Sequence, residues 1–179
     1  MYGRATRGPP VGNYNARMLA LRYVYVLALV TWLGGMIVLG AIVAPTTFQI
    51  LQATEPATGR ELAGEVFGAI IAKFHYIAYA AGAVLLLSLS AMAVLGPRPK
   101  QYAVRSALIA VTLGISLYSG LIVLSSIDTI QQDAGGPVSR LQADDARRIR
   151  FDQLHLLSTR LMMLNMAGAL ILLYWETRE

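Results

Sequence analysis

Two histidines are the side chains best suited to chemistry in this sequence. His75 and His155 are the only imidazoles among 179 residues, and cysteine is absent. Without thiols there are no disulfides, thiolate zinc sites or iron–sulfur clusters. Imidazole can still ligate a haem iron or a metal ion, and methionine is a soft copper ligand. His75 stands 21 residues before Gly96 and His155 stands 20 before Trp175, each heading an apolar stretch. If both stretches are helices running the same way, the two rings sit at one depth, ~30 Å from the far edge at 1.5 Å per residue. Two histidines so placed in a bundle can bracket one iron. Gly68, Ala72, Tyr79 and Gly82 share the face of His75, where small residues would admit a flat macrocycle. Ser158, Thr159, Met162 and Met166 share the face of His155, which gives the pair a copper reading as well.

Plainer roles fit the same residues. A histidine at a helix end suits the headgroup level of a bilayer, small residues pack helices together, and methionine fills apolar cores. The primary expectation is therefore no cofactor, with haem b or copper as the alternative. Arg160 is the more unusual residue, because it lies inside an apolar stretch. A charge there either faces the bundle and finds a carboxylate, with Glu61, Glu65, Asp128 and Asp152 as candidates, or reaches outward to the headgroups on its long stem. Asn165 lies deeper, and its amide is expected to bond another helix. No phosphate loop, nucleophile triad, paired carboxylate or metalloprotease motif occurs, so the chain does not read as an enzyme.

The elements that must position these residues are set by an unusual composition. Hydrophobic residues make up 56% and charged residues 14%. A soluble domain carries about 25% charge, so the solvent of this chain is lipid. The net charge of +5 does not indicate nucleic acid, because the basic residues are scattered between apolar runs. Four such runs predict four membrane-spanning helices, at about 23–44, 66–95, 106–127 and 151–175. The first is too long for a signal peptide and has Ile42 where a small residue would precede cleavage. Pro45 is expected to end it, and Gly96-Pro97-Arg98-Pro99 to end the second. Alternating polarity is absent, which excludes a barrel. The fold class is all-α: an integral membrane four-helix transmembrane bundle over 23–175, with tails at 1–22 and 176–179.

The positive-inside rule gives an orientation. One end gathers Arg4, Arg7, Arg17, Arg22, Arg98, Lys100, Arg105 and Arg178, with Glu176 and Glu179 as its acids. The other holds Arg60, Lys73, Arg140, Arg147, Arg148 and Arg150 together with eight acids. Both termini are expected in the cytoplasm and the chain in a cell membrane, a bacterial inner membrane by type. Its partners are the lipid bilayer and a membrane protein or a second copy of itself.

Several short motifs add a family. Trp32-Leu33-Gly34-Gly35, Ala44-Pro45-Thr46-Thr47-Phe48, Ala63-Gly64-Glu65-Val66-Phe67 and Phe151-Asp152-Gln153-Leu154-His155 together resemble the transmembrane protein 205-like domain family. The resemblance runs from Val30 to Trp175 and implies four spans with no established activity. A fainter similarity is to copper-resistance membrane proteins of the CopD type, from which no ligand is carried over. The function expected is that of a non-catalytic scaffold, assembly or permeability element. The alternatives are a haem protein ligated by His75 and His155 or a copper-handling protein.

Overall fold

A computed structural model of the protein describes residues 11–178. The described residues contain helices and turns and no strand. Helix α1 (Val11–Val38) passes through a π-helical turn, Leu39–Val43, directly into α2 (Ala44–Thr54). Helix α3 (Gly59–Leu95) returns, and α4 (Tyr102–Tyr118) continues through a second π-helical stretch, Ser119–Leu124, into α5 (Ser125–Asp133). A 3-10 turn at Val138–Arg140 precedes α6 (Ala146–Glu176). Four helices are long and apolar enough to cross a membrane: Asn15–Thr54, Gly59–Leu95, Tyr102–Asp133 and Ala146–Glu176. The chain is an all-α transmembrane bundle.

The helices outrun the uncharged stretches of the sequence. The backbone is helical from Val11, so residues 11–22 are not a tail, while 1–10 lie outside the described residues. Pro45 does not end the first helix. It sits within the continuous helix directly after the π-helical turn, whose wider winding takes up the clash its ring would otherwise make. The polar segment 46–60 is therefore mostly helix, broken by a tight turn at 55–58.

The connections are short, so successive spans run antiparallel. One end of the bundle holds the start of α1, the end of α6 and the α3–α4 turn; the other holds the α2–α3 turn and the segment from α5 to α6. Helix α1 packs on α3 and α6, and α4 packs on the same two. This closes a ring in which α3 and α6 face each other diagonally across the axis. Trp32, Leu29, Leu85, Leu89, Ile109 and Leu172 fill the main core, and Val123, Ile127 and Leu154 form a smaller one nearer the loop end. Gly35 lets the Phe74 ring lie against α1, since a Cβ there would meet that ring. The outer surface is equally apolar, with Tyr76, Leu87 and Val94 more than two-thirds exposed. A helix apolar all round suits a lipid surround.

At the loop end, Asp145 caps α6. Its carboxylate accepts the Arg147 backbone N–H at 2.8 Å and two guanidinium N–H groups of the same residue at 2.8 and 3.1 Å. The guanidinium bonds, joined by the backbone bond, hold its pKa down to about 2.

Candidate functional site

The polar groups inside the bundle gather at two levels. At the terminal end, Glu176 is buried, with 7% of its surface exposed, as is Arg105, with 1%. Arg105 donates from Nη2 to Glu176 Oε2 at 2.6 Å, and Arg22 donates from Nε to Oε1 at 2.6 Å and from Nη2 to the Glu176 carbonyl at 3.2 Å. Arg105 also lies over the Tyr25 ring, 5.0 Å from its centroid. One carboxylate thus joins α1, α4 and α6. Excess positive charge at this end is readable from the sequence, but a buried carboxylate at residue 176 is not. The available signal was that acids are nearly missing there.

Closer to the middle of the bundle, all four spans contribute to a cavity of about 40 Å³. Trp32, Met36 and Leu39 wall it from α1 and its π-helical turn, and Phe74, His75 and Ala78 from α3. Ser116 and Ser119 come from α4 and the second π-helical stretch, and Ser158, Met162 and Asn165 from α6. Asn165 is 5% exposed and donates from Nδ2 to Ser116 Oγ at 2.8 Å, tying α6 to α4. The His75 ring is half-buried against the cavity, and Nδ1 bonds the Ile71 carbonyl one turn away at 2.9 Å.

His155 has different surroundings. It is exposed, stacks on Phe151 with ring centroids 6.3 Å apart, and does not line the cavity. The two histidines therefore do not meet, although their helices are diagonal partners. Bis-histidine ligation needs both imidazoles turned to one interior, and this arrangement turns only His75 inward. Met162 lines the cavity with His75, as does Met36, whereas Met166 packs against the main core. Among the described residues, no group of three or more His, Asp or Glu side chains comes together to hold a metal ion.

A family profile described as Domain of unknown function (DUF4149) matches residues 27–135. The chain belongs to that family. No curated protein and no solved structure matches it. In this member of the DUF4149 family the match covers most of the first span and all of the second and third, including Trp32, His75 and Ser116. Asn165, Ser158 and Met162 lie beyond it, so the cavity joins matched and unmatched parts of the chain. The family description indicates no catalytic activity.

Arg160 is exposed on α6 and makes no ion pair with any described residue. Of the carboxylates considered for it, Glu61 accepts from Ser139 at 2.8 Å and from Arg140 at 3.4 Å instead. Arg160 therefore faces the bundle's surroundings, in the geometry that lets its stem run outward to the headgroups. Replacing it removes no buried partner. Arg160→Leu is expected to change the thermal midpoint in detergent by no more than the equivalent of about 0.5 kcal/mol. A fall several times larger would require a carboxylate partner inside the bundle.

Proposed function

We propose that this protein is a non-catalytic scaffold of a cell membrane, an element that holds or assembles other membrane components. The observation that supports this reading most is how the interior polar groups are used. Arg22, Glu176 and Arg105 lock three helices at one end, and Asn165 and Ser116 lock two near the middle. Between them the interior is filled by large apolar side chains such as Trp32, Leu85 and Leu89. A transport path needs a row of polar groups or a passage wide enough for a solute, and 40 Å³ is room for about three waters. The working surface in this reading is the outside of the bundle together with the loop-end helices, and the partner is a membrane protein or a second copy.

The orientation proposed places both termini in the cytoplasm of a bacterial cell, on the strength of the acid-poor basic end. A reporter fused after Glu179 should be active in its cytoplasmic form, and activity of a periplasm-dependent form would reverse the assignment. The scaffold reading is tested with a photo-crosslinking amino acid at the exposed positions Tyr76 and Leu87, in the native membrane. A discrete adduct, either a dimer or one recurrent membrane protein, is expected. In parallel, purified protein in liposomes should pass ions and small solutes no faster than protein-free vesicles. Saturable flux through those liposomes would make the protein a permeability element instead.

A further inference from the structure

The cavity, apolar over most of its wall, has a few polar features that packing alone does not account for. Asn165 lines the cavity and uses its Nδ2 on Ser116, and its buried Oδ1 accepts no hydrogen bond from the described residues. A buried amide oxygen left without a donor costs ~1–3 kcal/mol, so such groups are rare in folded proteins. His75 presents a second acceptor. A carbonyl can only accept, so the bond to Ile71 puts the proton on Nδ1, and Nε2 of the neutral ring is left with a lone pair. Ser119 and Ser158 add hydroxyls to the same wall.

The backbone is adapted at the same place. The two π-helical segments begin at Leu39 and Ser119, and both residues line the cavity. Such turns are rare in proteins and concentrate at functional sites, because the wider ring re-aims the side chains around it. Gly120, the next residue, has no Cβ to strike Tyr79 and His75, whose side chains lie against it. The second π-helical stretch therefore accommodates the His75 edge of α3 as it enters the bundle.

From these observations we infer that the cavity is a binding site for ordered water, holding two or three molecules that bridge His75 on α3 to Asn165 on α6. The volume suits that number at 10–15 Å³ each. The chemistry fits a hydrogen-bond donor. Asn165 and His75 line the cavity with no Lys or Arg beside them, Asn165 Oδ1 is an acceptor, and so is His75 Nε2 in the tautomer protonated at Nδ1. The serine hydroxyls can accept from one water and donate to the next, which lets a short chain close between the two helices. The bridge links α3 and α6, one of the two diagonal pairs of the ring.

Water itself is the probe. The full-length protein, labelled with ¹⁵N and ¹³C in detergent, should show water-to-protein nuclear Overhauser contacts at the His75 ring and at the Asn165 side-chain amide. Their sign should report residence longer than nanoseconds. The His75 ¹⁵N shifts should show Nδ1 protonated and Nε2 accepting a hydrogen bond. Ser158→Leu, at a half-buried position on the cavity wall, should fill the cavity. Both water contacts should then disappear while the remaining amide spectrum is retained. The proposal is overturned by an absence of water contacts at both residues in the unaltered protein, by contacts that persist in Ser158→Leu, or by a protonated Nε2. A metal ion found at one per chain with His75 as a ligand would equally overturn it.

Discussion

Glu176→Leu is expected to destabilise the bundle by ~3–5 kcal/mol, the cost of removing the carboxylate that the buried Arg105 shares with Arg22. Arg105 is 1% exposed and forms an ion pair with this residue at 2.6 Å. Arg22 lies nearer solvent and can rehydrate, so most of the loss falls on Arg105. The double variant Arg105→Leu/Glu176→Leu should be markedly less destabilised than the two single changes added together, because it removes both charges and leaves a lined apolar site. Thermal unfolding in one detergent, measured for the two singles and the double, decides the matter. Additive losses would mean that the two side chains act on stability independently of one another.

Gly59→Ala should be the most damaging small substitution at the loop end, at about 3 kcal/mol, the upper part of the range for overpacking. The turn between α2 and α3 is so tight that a Cβ on Gly59 would fall on the carbonyl group of Leu51 and within 2.8 Å of the Gln52 nitrogen. These are backbone atoms, which cannot step aside as a side-chain tip can. The Gly59 N–H also donates to the Glu55 carbonyl at 2.6 Å, which fixes the approach. By contrast Gly64, one turn and a half further on, has open space where its Cβ would be, so Gly64→Ala should leave stability almost unchanged. If the two alanine variants melt together, the close contact of α2 with the start of α3 is not maintained in solution.

The spans were readable because charge is so expensive in hydrocarbon that its absence over some twenty residues marks a crossing. Their extensions were not, because the same rule is silent once a helix leaves the bilayer. Residues 128–133 continue α5 although they carry Asp128 and Asp133. Pro45 is ambiguous in sequence, since proline ends one helix and is carried inside another where a wider turn relieves its ring. Which way each histidine points was out of reach for a related reason. Facing is read from the contrast between a polar and an apolar stripe, and helices apolar on every side lack that contrast. His75 and His155 were therefore equivalent on paper, and only the packing of α3 and α6 separates the inward ring from the outward one. The Arg105–Glu176 pair joins residues 71 apart in the chain, a long-range contact that no local pattern announces.

The length of α3 has a mechanical consequence. Its 37 residues extend about 55 Å, against a hydrocarbon core of about 30 Å. Tilting does not absorb the difference: even at 40°, the upper end of what transmembrane helices adopt, about 42 Å remains along the bilayer normal. Roughly 12 Å or more of helix must stand clear of the acyl chains. At the loop end this portion is not a solitary rod. The rings of Phe48 and Phe67 meet edge to face across α2 and α3, 6.4 Å between centroids, and Glu61 binds Ser139 and Arg140 of the segment leading to α6. The loop end is therefore a stiff assembly, continuous with the helices that cross the membrane. Whatever docks on it is held at a fixed height from the lipid surface.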